Sequence, residues 1–170
     1  MIARAALVMA GGRAARMGGV VKPLVRVCGR PLIEHALSLA RAAAERVAVA
    51  VSPYTREGLR GYCSTTLCIE TPGAGYPVDL EQASRAIGWR PMLVLPSDLV
   101  GLTLRDLEAL ARARREDPGR GVYTLLCNGR HVGVSLLAGG WDWLDVEAGC
   151  DPVNVNTWRD VLEAEGRCRM

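Results

Sequence analysis

The spacing of apolar positions changes several times along this chain, and each change predicts an element. Ala3 to Met9 is a short apolar-rich run that ends at Gly11-Gly12, the pattern of a buried strand. From Pro31, which suits a first helical position, Leu32, Ile33, Ala36, Leu37 and Ala40 recur at helical spacing to about Ala44. Arg46–Val51, Thr66–Ile69 and Met92–Leu95 predict three further strands, the last closed by Pro96-Ser97-Asp98. Helices are expected between them: a short one over Pro53–Tyr62, one from Pro77 to about Ile87, and a strong one over Thr103–Arg115 that Asp117-Pro118-Gly119 ends. Val25–Cys28 predicts a short additional strand stopped by Gly29. Val122–Cys127 and Val132–Leu137 flank Asn128-Gly129-Arg130, a hairpin with an Asn-Gly turn. Trp141 to Asp151 is expected to be irregular, with Trp141 and Trp143 plugging the core, a flat platform for a large acceptor being the alternative. Val153–Val155 predicts a last strand, and Thr157 caps a final helix to about Glu165.

Strands alternating with helices through the first 115 residues predict an α/β fold. The expectation is a three-layer, Rossmann-like, mostly parallel sheet with helices on both faces and an antiparallel hairpin in the C-terminal part. A length of 170 residues suits a single domain over 1–170. In such sheets ligands bind beyond the carboxyl ends of the strands. Three loops fall there: residues 10–23, 71–76 and 96–98.

Composition narrows the classes. The chain is 49% hydrophobic, which excludes disorder. No run of about 18 apolar residues occurs, so no membrane span is expected, and with no export signal a cytoplasmic location is expected. A net charge of +3 gives no reason to expect nucleic acid as a partner. The oligomeric state stays open, with a homodimer compatible. Of the 21 basic residues only Lys22 is a lysine, and the only asparagines are Asn128, Asn154 and Asn156. Six cysteines without CxxC spacing and only two histidines argue against zinc. The thiols are expected to be reduced and packed as small hydrophobes, a disulfide in an intracellular thermophile protein being the alternative. His35, on a helix after Glu34, and His131, beside the hairpin turn, are both expected to face solvent.

The loop Met9-Ala10-Gly11-Gly12-Arg13-Ala14-Ala15-Arg16-Met17-Gly18, followed by Lys22-Pro23-Leu24, carries the most chemistry. Glycines after a first strand turn the backbone sharply and bring its N–H groups close to a phosphate. Arg16 and Lys22 add cations for triphosphate oxygens. Neither G-x-x-x-x-G-K-[ST] nor G-x-G-x-x-G is present. Asp98, just past a buried strand, suits a Mg²⁺ held on a bound nucleotide, or simply caps a turn. Asn154 and Asn156 lie on alternate positions and so on opposite sides of a strand; Asn156 offers an oxygen to a metal near Asp98, or merely precedes a helix. Thr71, Gly73 and Gly75 form a loop that lets a flat base approach the backbone, and Asp79 or Glu70 could accept from the N–H donors of guanine.

Together the loop at 9–24, the P-S-D at 96–98 and the N-x-N-T at 154–157 resemble the nucleotidyltransferases of the A-G-G-x-x-x-R-M-G type. Molybdenum cofactor guanylyltransferases and sugar-phosphate nucleotidyltransferases are among these. Gly18-Gly19-Val20, Cys28-Gly29-Arg30-Pro31-Leu32-Ile33, Ser52-Pro53, the Thr71–Leu80 stretch and Ser97-Asp98-Leu99 are most similar to the archaeal guanylyltransferases acting on adenosylcobinamide phosphate. The resemblance implies a nucleotide-diphospho-sugar transferase-like fold and transfer of GMP from GTP to a phosphorylated corrinoid acceptor, with Mg²⁺. It implies Arg16, Lys22 and Asp98 as catalytic groups, Arg13 as an assisting one, and Asp98 with Asn156 as metal ligands. Ala10, Gly11, Gly12, Arg13, Thr71, Gly73, Gly75 and Asp79 would then hold the nucleotide. Residues 137–152, where the acceptor should sit, are short for the family. Ala14-Ala15 and Val21 replace the hydroxyl and Asp usual in molybdenum-cofactor enzymes. A non-catalytic GTP-binding protein is the rival reading.

Overall fold

A computed structural model describes residues 1–168. The first half alternates strands and helices: β1 (Ala3–Met9), the hairpin β2 (Arg26–Val27) and β3 (Arg30–Pro31), α1 (Leu32–Ala43), β4 (Ala44–Val51), the one-turn α2 (Arg60–Cys63), β5 (Leu67–Glu70) and α3 (Tyr76–Ile87). The second half holds β6 (Met92–Pro96), β7 (Leu99–Val100), α4 (Leu104–Glu116), β8 (Val122–Cys127), β9 (Arg130–Leu137), β10 (Trp143–Ala148), β11 (Val153–Asn154) and α5 (Trp158–Arg167). Seven strands form one sheet in the order β10-β8-β9-β6-β1-β4-β5. Only β9 runs against its neighbours.

Period-2 alternation assigns each central strand to two cores. Ala6 and Val8 of β1 pack with Ile33, Leu37 and Ala40 of α1, in a core that continues to Leu107 and Leu110 of α4. Ala5, Leu7 and Met9 face the other way, onto Ala83 and Ile87 of α3. A third cluster joins Met17, Val27, Leu32, Val153, Val155 and Ala164, docking α5 and the small strand pairs against the first loop. Fully burying one such Leu or Ile is worth about 1.5–3 kcal/mol. Thr157 and Asp160 form a reciprocal capping box at the start of α5, as Thr103 and Asp106 do for α4. The Asn128-Gly129 turn joins β8 to β9, with Asn128 at φ 50°.

Five expectations need correction. Residues 143–148 are a strand, β10, paired in parallel with β8 at the sheet edge. Leu144 and Val146 sit against the α4 side while Trp143, Asp145 and Glu147 are exposed. Trp141 and Trp143 are therefore surface residues, 95% and 67% exposed, and plug no core. The cysteines are not free thiols: Cys28–Cys168, Cys63–Cys68 and Cys127–Cys150 are disulfides. His35 is half-buried, its Nε2 2.9 Å from the Val27 carbonyl. The predicted helix over 53–62 shrinks to a string of turns ending in α2, because Ser52 and Thr55 hydrogen-bond locally and bend the chain.

The connection into β10 crosses beneath the start of β8, and Gly121 makes this crossing possible. A Cβ on Gly121 would lie 2.4 Å from the carbonyl carbon of Gly140, a backbone atom.

Candidate active site

β1, β4, β5 and β6 are mutually parallel, so the chain leaves their carboxyl ends on one side of the sheet. There a cavity of about 450 Å³ opens between the first loop, residues 73–76 and residues 96–98. Gly11, Gly12, Arg13, Lys22, Gly73, Gly75, Asp79 and Asp98 all line it. Ala10 lies buried just behind, its N–H given to Ala50. Thr71 is also buried behind the wall, its hydroxyl donating to the Val51 carbonyl at 2.9 Å, so it braces the loop. Arg16 does not line this cavity; it sits on the exposed turn after Ala14, close enough to Asp160 to favour that carboxylate. Glu70 points outward toward Arg56, at 4.0 Å, and is not part of the wall.

The first loop offers donors. Among the described residues the N–H groups of Gly11, Gly12 and Arg13 have no acceptor within the protein. The Gly11 carbonyl is pinned from below by the Ser52 hydroxyl at 2.7 Å. A side chain at Gly11 would meet Ser52 Cβ at 3.2 Å, so Ser52 would have to give way by a few tenths of an ångström, disturbing the hydroxyl that pins the loop. Arg13 extends over the Tyr54 ring, 4.7 Å from its centroid. Across the cavity Asp79 is buried, and its Oδ1 accepts the N–H groups of Gly73 and Ala74 at 3.1 and 3.2 Å. One carboxylate thus shapes the glycine loop and keeps its second oxygen turned toward Gly11.

The charged centre lies at the far end. Pro23 is buried in a tight 3₁₀ turn that fixes the stem of Lys22. Lys22 Nζ lies 2.6 Å from Asp98 Oδ2 and donates to Asn156 Oδ1 at 2.9 Å. Asn156 is brought there by the pairing of β11 with β7 and by the Val155 N–H, which donates to the Asp98 carbonyl. Its own N–H donates to Asp160 Oδ2 at 2.8 Å. The two asparagines do not point apart as expected: the chain turns after Asn154, and Asn156 Nδ2 donates to Asn154 Oδ1. Burial works to raise the Asp160 carboxyl, but hydrogen bonds from Asn156 and Thr157, with Arg16 nearby, outweigh it and bring it below the usual range.

Sequence reasoning missed Tyr76, Ser97, Ala74 and Pro23, which also line the cavity. The side chain is 46% exposed, but partial desolvation at the hydroxyl end, and then the Asp98 charge, push the Tyr76 phenol up to about 12. Its OH donates to the Gly133 carbonyl at 3.4 Å. The signal was available in its position, directly after Gly75 and before the helix-starting Pro77.

Residues 6–159 match the MobA-like NTP transferase domain. The chain belongs to that family. The chain is 36% identical over 115 residues to adenosylcobinamide-phosphate guanylyltransferase of Methanocaldococcus jannaschii, an alignment that covers 62% of this chain. It spans only 57% of that relative's length. Among solved structures, UTP-bound UGPase from Acinetobacter baumannii superposes with a TM-score of 0.77 at 12% identity, covering 98% of this chain and 93% of that one. A CMP:2-keto-3-deoxy-manno-octonic acid synthetase complexed with CTP gives 0.73 at 18% identity, over 98% of both chains. The inositol-1-phosphate CTP transferase of T. maritima also gives 0.73, at 14% identity, over 98% of this chain and 96% of that one. These structures share this chain's fold, as the sequence led one to expect.

Proposed function

We propose that this transferase moves GMP from GTP to adenosylcobinamide phosphate, giving adenosylcobinamide-GDP and pyrophosphate. One observation carries the reading: the chain's single lysine lies between Asp98 and Asn156 in a cavity walled by a glycine loop with free amide donors. The likeness to the M. jannaschii guanylyltransferase supports the choice of substrates.

An oxygen of the acceptor phosphate attacks the α-phosphorus. The bond from that phosphorus to the oxygen bridging it to the β-phosphorus breaks, and pyrophosphate leaves with the electron pair. The acceptor phosphate is already ionised, so the protein needs no nucleophile of its own. Its work is positioning and charge neutralisation. The amides of Gly11, Gly12 and Arg13 donate to phosphate oxygens. Lys22 serves the α-phosphate and the Arg13 guanidinium the departing pyrophosphate, while Arg16, on the exposed turn outside the cavity, would have to swing inward to add its charge. The base lies against Gly73 and Gly75, with the free oxygen of Asp79 accepting from guanine.

Asp98 and Asn156 suit Mg²⁺ because both present hard oxygen donors. Lys22 engages only Oδ2 of Asp98, and the inner oxygen, Oδ1, is buried without any hydrogen-bond partner, so the carboxylate keeps negative charge that a divalent cation at its open oxygen would offset better than one ammonium. No cluster of three acidic, His or Cys side chains exists among the described residues, so nucleotide phosphates and water must complete the coordination. When bound, Mg²⁺ supplies charge neutralisation at the phosphates and orients them.

We place the reaction in the cytoplasm, where GTP is available. No helix among the described residues is long and apolar enough to cross a membrane. Three disulfides are compatible with that compartment in hyperthermophiles, whose intracellular proteins are disulfide-rich. The test is pyrophosphate release with GTP, ATP, CTP and UTP, each against cobinamide phosphate, a molybdopterin and sugar 1-phosphates. GTP with cobinamide phosphate should exceed every other pair at least tenfold in kcat/KM. A different preferred pair, or no release with any, overturns the reading.

A further inference from the structure

We propose that Lys22 is the resident cation of the metal site. In the nucleotide-free protein its ammonium holds the place between Asp98 and Asn156; arrival of the metal–nucleotide moves it off the carboxylate and onto phosphate. This rests on the function proposed above.

The argument is one of shared ligands. Asp98 Oδ2 and Asn156 Oδ1 are the accessible oxygens that two different backbone segments bring together, and Lys22 engages both, at 2.6 and 2.9 Å. Asp98 Oδ1 is closed off by burial, so a divalent ion reaches the carboxylate through Oδ2, where it must take the position the ammonium now fills. The Lys22 and Asp98 side chains are only 15% and 19% exposed, so neither charge can be left unpaired cheaply. The exchange keeps both paired. Before it, lysine neutralises aspartate; after it, the metal neutralises aspartate and lysine neutralises phosphate. Half of the exchange leaves an uncompensated charge. Nucleotide alone would draw Lys22 away from a bare carboxylate, and metal alone would expel Lys22 toward no anion. Metal and nucleotide must therefore bind cooperatively, each raising the affinity of the other. The lysine stem suits this role, since a compact ammonium on four flexible carbons can swing where a planar guanidinium fork cannot. A chain that uses Arg at its other 20 basic positions keeps Lys at this one.

Because Lys22 is the only lysine, protein labelled with ¹³C at the lysine ε-carbon gives one side-chain signal. Saturating Mg²⁺–GTP without acceptor should move that signal, and Mg²⁺ alone at the same concentration should leave it in place. A signal unmoved by Mg²⁺–GTP overturns the proposal without any substitution. In parallel, Mn²⁺ binding is followed by electron paramagnetic resonance, with circular dichroism melts to confirm folding. Nucleotide-free Lys22→Met should bind Mn²⁺ at least tenfold more tightly than the natural protein, and Asp98→Asn should lose Mn²⁺ binding with or without GTP. Equal Mn²⁺ affinity in Lys22→Met and the natural protein, with Asp98 still required, overturns the exchange alone. Mn²⁺ binding that ignores Asp98→Asn overturns the metal assignment above, and the exchange with it.

Discussion

Replacing both Cys28 and Cys168 with alanine tests how the last helix is held to the site. The bond closes a loop of 140 residues, against 23 for Cys127–Cys150 and 5 for Cys63–Cys68. Loop-closure entropy assigns these three about 5, about 3.4 and about 2 kcal/mol at 25 °C. The first bond also joins the β2–β3 hairpin to the end of α5, where Glu165 Oε1 accepts the Cys28 N–H at 2.8 Å and Val27 and Ala164 share a cluster. Loss of the bond therefore loosens the segment that presents Asn156 to Lys22. Guanidinium unfolding followed by circular dichroism, on the three double-alanine variants, should rank them in that order. The 28/168 variant should also turn over more slowly below its unfolding transition. If it lies within about 1 kcal/mol of the natural protein, or costs less than the 63/68 variant, the account of α5 as a tethered element is wrong.

Lys22→Arg should lower kcat about 100-fold or more despite the retained charge, because a forked guanidinium cannot replace an ammonium between Asp98 and Asn156; steady-state kinetics decide it. Asp98→Ala should reduce kcat far more than it weakens GTP binding, read by calorimetry beside turnover, since a metal-placing carboxylate acts mainly in the transition state. Asp160 has its folded pKa depressed, so its contribution is present above the ordinary carboxylate range and is lost as pH falls through the folded value. Acid unfolding curves of Asp160→Asn and the natural protein should converge at low pH and separate above it. Gly121→Ala should cost about 1–3 kcal/mol in urea unfolding, because its Cβ would meet the Gly140 backbone rather than a movable side chain.

The elements that local pattern predicts well are those whose burial is set by their own period. The strand at Ala3–Met9 appears with the predicted ends, and the helices after Pro31, Gly75 and Thr103 shift by a residue or two. The edge strand β10 was not legible because Asp145 and Glu147 have weak strand preference and its partner, β8, is distant in sequence. Its trace was the alternation of Leu144, Val146 and Ala148. The thiols were misread for a different reason: Cys28 and Cys168 meet only once α5 docks, which no spacing rule reveals. In the site, the glycine loop, Lys22 and Asp98 stood out through rare residues at strand ends. Tyr76 and Ser97 are common residue types in ordinary loops, and only the closed cavity sets them apart. The bracing roles of Thr71 and Ser52 are likewise tertiary, since each bonds to a carbonyl on another segment.

All four tryptophans lie at the surface, from 37% exposed at Trp89 to 95% at Trp141, and among the described residues Tyr123 is the only tyrosine or tryptophan ring in the deep interior. Native fluorescence should thus already be red-shifted, and emission should change little when the protein melts. The same property makes light emission useful elsewhere. Trp158 stands two residues from Asn156, at the first turn of α5, so in a variant whose other three tryptophans are replaced its quenching can report the arrival of a bulky coloured ligand.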